Sequence, residues 1–428
     1  MRLLPADLPE RAALSLEVHA RPSEPLPTPG RASYIAVLVD ADERDRELAH
    51  LGRLCRNQGQ AAPEAGAVHW SGRISGVQCK WERHGEFSSY TLMMAARPAA
   101  PFADPAASQL PPGWLAGVPG MTIYAGHAEL LRAEDAPALP VLQQEFFAGH
   151  AVVGSAVGDG AALAYSDFLI HPDGFGRLLL VDQGLTPVMA GRMLQRLFEI
   201  EAYRMMALLA FPVARRLSPR ILAIERALAG LTDDIASDGG RDEKLLHELT
   251  RLAAEVESGL SASQFRFGAC RAYADLVRTR IAELREQRLS GLQTLDEFMS
   301  RRFTPAVATC ATVSQRMHDL SERVAQASHL LSTRVDIARE NQSHALLASM
   351  DRRARLQLRL QQTVEGLSIA AIVYYMAGVA GYLAKGARSL GLHLDADLLV
   401  GLSVPVLALL AFSAVRRARR DANENEAP

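Results

Sequence analysis

The 428 residues are 49% hydrophobic and 22% charged, with a formal net charge of −2. That balance excludes a wholly disordered chain, and the absence of a global basic field argues against a nucleic-acid partner. The length suits two or three domains, and arginine carries nearly all the positive charge, lysine standing only at Lys80, Lys244 and Lys385.

Residues 1–30 read as an extended N-terminal segment. Pro5, Asp7, Pro9, Glu10 and Arg11 interrupt any apolar run, so no signal peptide is expected and the body of the protein is expected to start in the cytoplasm. Residues 31–184 read as an α+β cytoplasmic domain. Its expected elements are a strand over 33–40, a helix over 41–57, paired strands over 76–80 and 90–94, and a strand over 121–125. A hairpin should join 162–170 to 177–182 through His171-Pro172-Asp173-Gly174-Phe175-Gly176, where aspartate and glycine supply turn chemistry. The proline-rich stretches 22–29 and 98–112 read as loops.

Chemistry-bearing motifs are sparse in this domain. Gly154, Gly158 and Gly160 do not fit GxGxxG and read as a hairpin rather than a phosphate cradle. No GxxxxGK[ST], HExxH or GxSxG occurs, so no catalytic residues, no cofactor and no enzymatic activity are expected. Cys55, Cys79, Cys270 and Cys310 lack metal-ligand spacing and read as small buried or half-buried free thiols. His19 beside Glu17, and His84 beside Glu86, place imidazole near carboxylate. These could bind a metal or exchange protons, or simply satisfy structural hydrogen bonds.

Residues 185–365 read as a helical, coiled-coil stalk region. Helices are expected over 187–209, 219–229, 241–257 and 261–302, with breaks at Gly239-Gly240 and Thr304-Pro305. From 306 to 365 there is neither glycine nor proline, and a continuous helix of that length would span ~90 Å. Val313, Met317, Leu320, Val324, Ala327 and Leu331 follow a 4-3-4-3-4 spacing, the seam of a coiled coil, and Val335 adds a stutter. Two partly compatible uses of that seam stay open, an oligomeric stalk and one arm of an intramolecular helical hairpin: one face of the helix can pack on an earlier helix and another on neighbouring subunits.

Residues 366–384 and 398–415 hold no charge, and each is close to the ~30 Å needed to cross a bilayer. Arg352, Arg353, Arg355 and Arg359 precede the first stretch; Arg416, Arg417, Arg419 and Arg420 follow the second; the loop 385–397 holds only Lys385 and Arg388 as basic residues. The positive-inside rule then predicts a transmembrane hairpin with an outer loop and both termini cytoplasmic, ending in a basic then polar tail over 416–428. The bilayer is one expected partner. Self-association through the stalk and the first span is the other, because Ala377, Gly378, Ala380 and Gly381 would let helices approach closely. Ser368, Tyr374, Tyr375, Gly378 and Gly381 are the candidate pore-lining or packing residues, and Asp395 and Asp397 the candidate outer mouth.

The segments Glu17-Val18-His19-Ala20-Arg21-Pro22 and His84-Gly85-Glu86-Phe87-Ser88-Ser89-Tyr90, with the stretch 352–382, resemble signature segments of a bacterial family of predicted membrane-anchored proteins of unknown function. The resemblance covers essentially the whole chain and implies anchoring in the bacterial inner membrane, with no known activity attached. The overall layout also resembles that of CorA-type divalent-cation channels, in which a long helix continues into a pore-lining first span of a homopentamer. That likeness implies an ion-conducting homo-oligomer, although Tyr375-Met376-Ala377-Gly378 stands where that family carries Gly-Met-Asn. The alternative is a membrane-anchored cytoplasmic sensor or scaffold without transport.

Overall fold

The computed structural model of the chain describes residues 7–11, 14–15, 23–236, 242–389 and 396–425. It divides into two units, Met1–Ser328 and His329–Pro428. Among the described residues, nine strands of the first unit form one sheet in the order β2-β3-β4-β1-β5-β8-β7-β6-β9. The strands are β1 (Gly30–Leu38), β2 (His69–Ile74), β3 (Val77–Arg83), β4 (Phe87–Met94), β5 (Met121–Arg132), β6 (Val153–Val157), β7 (Ala162–Ser166), β8 (Gly176–Asp182) and β9 (Gln287–Arg288).

The sheet is centred on β1, which pairs antiparallel with β4 on one side and β5 on the other. Its sequence, GRASYIAVL, is buried along nearly its whole length, as expected of a strand covered on both faces. One face receives helix α1 (Arg44–Asn57), and Ile35, Val37, Leu51, Leu54, Trp81 and Leu92 form the core between them. Further along the same face, α2 (Leu139–Phe147) sets Phe146 and Phe147 against Leu179 and Val181. The opposite face receives α3 (Pro187–Leu208), whose Phe198 ring stacks on Tyr34 at 5.1 Å.

A buried carboxylate ties α1 to the sheet. Glu47 is fully buried and accepts hydrogen bonds from Trp81 Nε1 (2.9 Å), Tyr90 Oη (2.9 Å) and Ser88 Oγ (3.0 Å), with Arg83 as its ion-pair partner at 3.3 Å. Such a group is tolerated inside a protein only when its lone pairs are met.

Helices α4 (Ala210–Ala236) and α5 (Asp242–Leu284) follow; the expected Gly239-Gly240 break lies outside the described residues. The sequence reading divides α5 near residue 259 and carries helix on to 302, and the structure corrects both points. The helix passes through Gly259 unbroken. A Cβ there would stand 2.8 Å from Met317 Cε, so the glycine serves close helix packing instead of a turn. The helix then ends at Leu284, because Arg285 takes a left-handed conformation (φ 49°) and β9 pairs with β6. Glu286 fixes this segment: its carboxylate accepts from Ser155 Oγ (2.6 Å) and from the backbone N–H groups of Leu295 and Asp296. A capping box of Thr294 and Glu297 then opens α6 (Leu295–Arg302).

The last two helices are α7 (Thr304–Ser389), which runs unbroken through the glycine-free stretch 306–365 and on through Gly366, Gly378 and Gly381, and α8 (Ala396–Asn425). In the part of α7 that belongs to the first unit, Val313, Met317, Leu320 and Val324 are all buried. Met317 meets Gly259 of α5, Arg316 pairs with Glu225 of α4 at 2.7 Å, and Cys310 lies against Cys270 of α5. These residues of the seam are therefore buried within the first unit.

Truncating Leu320, only 1% exposed, to alanine should lower stability by about 2–5 kcal/mol. Leu346→Ala, on an exposed part of the same helix, should change it by less than about 0.5 kcal/mol. Comparing the two thermal unfolding midpoints in one detergent checks the burial; equal effects would place the seam at a surface.

Candidate functional site

His19 and Asp395 lie outside the described residues. His84 stands at the β3–β4 turn, its Nε2 3.1 Å from Ser89 Oγ and its ring stacked on Phe87 at 4.2 Å. Glu86 accepts from Arg266 of α5 through both oxygens, at 2.7 and 3.0 Å. Such a two-point pair is strong and oriented, and it fastens the turn to the helix. His84 and Glu86 thus each have a structural partner.

A different cluster is assembled from two connections that the sequence reading treats separately. Helix α2 ends in two left-handed residues, Ala148 (φ 53°) and Gly149 (φ 80°), which turn the chain and present His150. Strand β7 ends at Ser166, short of the expected 170, because Asp167 turns inward and Phe168 takes φ 56°. His171 follows in the β7–β8 turn, held by its N–H to the Phe175 carbonyl (2.9 Å) and by Gly174 N–H to its own carbonyl (2.8 Å). His150 Nδ1 and His171 Nε2 each lie 2.9 Å from the same oxygen, Asp167 Oδ2. The other oxygen, Oδ1, accepts from Leu169 N–H at 3.2 Å. The Asp167 and His171 side chains are buried, whereas that of His150 is 43% exposed. The three ligand atoms lie within 4.8 Å of one another. An Asp-x-x-x-His spacing was visible in the sequence; its join to His150 depends on how the sheet closes.

Elsewhere on the α1/α2 face, Glu129 of β5 is 2% exposed. Its Oε1 accepts from Phe102 N–H, whereas Oε2 has no hydrogen-bond partner. Burial pushes this carboxyl up to about 7, against the lowering pull of Phe102 N–H, Arg31 and Arg177. It lines a cavity of about 190 Å³ with Arg97, Pro101, Asp135 and Glu145. Nearby, burial holds the His127 imidazole down at about 4, with Nδ1 2.9 Å from Ser33 Oγ. All four cysteines are buried thiols, and burial pushes Cys79 up to about 12.

In the second unit, two helices are long and apolar enough to cross a membrane. Their most apolar windows have mean hydropathies of 1.7 and 1.5, with 11% and 0% of the window buried. Ala377, Gly381 and Ala384 form a small-residue stripe at helical spacing; both alanines are buried, and a Cβ on Gly381 would stand 3.0 Å from Val400 of α8. Of the predicted positions, Ala377 and Gly381 belong to this stripe, and Tyr374, Tyr375, Gly378 and Asp397 line a cavity of about 650 Å³ with them and with Val400 and Val404 of α8. Tyr374 and Tyr375 are exposed, Gly378 faces open space, and Ser368 donates to the Val364 carbonyl of its own helix at 2.9 Å. Asp397 is exposed in the first turn of α8.

The family described as "Protein of unknown function (DUF3422)" matches residues 6–422. No curated protein matches the chain. A solved structure described as "structure of the full-length CmaX protein" is 13% identical, covering 69% of this chain and 89% of that chain with a TM-score of 0.20. A likeness at that score carries no argument about fold. These comparisons give no support to the CorA-type resemblance.

The sign of the Glu129 effect is fixed by its raised value. The folded state holds the proton more tightly than the unfolded chain, so the contribution is full below the ordinary 4.5 and is lost as pH rises through about 7. Glu129→Gln should therefore flatten the fall in unfolding temperature between pH 5 and pH 8, and gain on the wild type at pH 8. Parallel pH–melting curves for the two proteins would contradict this.

Proposed function

The chain belongs to the DUF3422 family of proteins of unknown function, and from that premise we propose that it is a membrane-anchored protein. In this reading α7 and α8 form a two-span hairpin in the bacterial inner membrane, and the sheet unit acts on the cytoplasmic side as a sensor or scaffold. The observation that carries it is the apolar surface left uncovered on both helices. Leu367, Tyr382 and Leu383 of α7, and Leu402, Leu409 and Leu410 of α8, are each at least 60% exposed. A continuous apolar surface of that kind needs a hydrocarbon partner. The arginine clusters at 352–359 and 416–420 then favour a cytoplasmic side for both flanks.

The packing inside the hairpin favours an anchor over ion conduction. A conducting assembly needs several copies in close contact, and the Ala377–Gly381–Ala384 stripe that would permit this is turned toward α8 of the same chain. In this reading self-association is not needed for the anchor, and Tyr374, Tyr375 and Gly378 line a cavity with Gly381, Val400 and Val404 of the same hairpin.

The full chain should stay with the membrane pellet through alkaline carbonate extraction. Topology reporters placed after Asp421 and within 391–395 should report opposite sides. Release by carbonate would overturn the anchor, and two reports from one side would overturn the hairpin.

A further inference from the structure

We propose that His150, Asp167 and His171 form a binding site for one divalent transition-metal ion of the zinc class. Two neutral imidazole nitrogens and one carboxylate oxygen are a donor set that suits such ions, whereas magnesium and calcium prefer oxygen ligands throughout. The three donors converge: both histidine nitrogens point at one oxygen, 2.9 Å away on either side. In a tetrahedral zinc site with bonds of roughly 2.0–2.1 Å, neighbouring donor atoms stand about 3.3 Å apart. With all three donor atoms within 4.8 Å of one another, a cation would sit between them once each imidazole carries its proton on its other ring nitrogen.

Charge argues the same way. The Asp167 side chain is fully buried, and its ion-pair partners among the described residues are these two histidines. A buried carboxylate flanked by two imidazole nitrogens is a seat for a cation, and a divalent ion there would meet its charge directly. The supports around the donors are in place as well. Leu169 N–H fixes Asp167 Oδ1, and the Phe175 and Gly174 backbone bonds fix the loop that carries His171. Such outer contacts set the direction of metal ligands.

The site is closed on one side and open on the other. Asp167 and His171 are buried and His150 is half exposed. Three protein donors with an approach from solvent leave a coordination position for water or for a donor group of a second molecule. The ion would also clamp the segment after α2 to the β7–β8 turn, two pieces of chain otherwise joined here by hydrogen bonds through one oxygen.

The test uses the untagged full chain in detergent, stripped with a chelator and titrated with Zn²⁺ by calorimetry, with Mg²⁺ in parallel. One zinc per chain should be lost in His150→Ala, or its affinity lowered by at least the tenfold that loss of an outer partner alone brings. His150 is exposed enough for this variant to fold, which far-UV circular dichroism checks. Asp167→Asn should show the same loss if it keeps the wild-type spectrum; if it does not fold, His150→Ala decides alone. His344→Ala, changing an exposed histidine on α7, should bind like the wild type. Co²⁺ should give a visible absorption band that disappears in His150→Ala. No zinc bound by the wild type, unchanged binding in His150→Ala, or displacement of zinc by equimolar Mg²⁺ would each overturn the proposal.

Discussion

The pairing of β5 with β8 is the constraint on which the sheet unit depends. It is the one parallel step among the described strands, and it joins two antiparallel halves, β2-β3-β4-β1-β5 and β8-β7-β6-β9. Parallel neighbours cannot be linked by a tight turn; the chain must travel from the end of one strand back to the start of the next. Here that crossover is residues 133–175, and it carries α2, β6 and β7. His150, Asp167 and His171 all lie on it, so the cluster is assembled by the same crossover that closes the sheet.

The sheet handles buried charge in contrasting ways. Glu47 is saturated by four groups from β3 and β4 and fixes the seat of α1. On the opposite face Lys80 and Glu82 form a buried pair at 3.0 Å. Pairs of this kind are costly to break from one side, because the surviving charge is left in a low-dielectric interior. Glu129 is treated differently. One oxygen is met and the other is not, and its carboxyl holds a proton far more readily than an exposed glutamate would. The first two arrangements hold elements in register. The third makes stability depend on pH near neutrality.

Much of the fold was legible where the signal is local. The strand around Tyr34–Val37, the helix after Arg44, the β7–β8 turn and the glycine-free run of α7 all follow from short-range pattern. What the sequence hid was non-local. Gly259 looks like a helix break, but it is a contact surface whose reason, Met317, lies far along the chain. The Thr294–Glu297 capping box was present in the letters, yet the helical periodicity on either side masked the interruption at Arg285. The metal-type cluster was half visible in Asp167 and His171; His150 joins them only because β6 and β7 fold back between α2 and the turn. The apolar stripe from Val313 to Val324 is visible in the spacing, whereas its burial, with Met317 set against Gly259 of α5, is seen only in the packing.

Strand β9 is only two residues long, but its surroundings extend its effect. Besides the β9 pairing, Gly154 N–H is bonded to the Gln293 carbonyl and Gly158 N–H to the Leu284 carbonyl, so the segment between α5 and α6 runs along the whole outer side of β6. That margin of the sheet is sealed by the chain itself and offers no free row of backbone donors to a stray strand. The other margin ends at β2, beyond which no strand pairs among the described residues. The two margins thus differ in what they offer a stray strand during synthesis: six residues of β2, with Arg73 as a charged deterrent, against the two residues of β9.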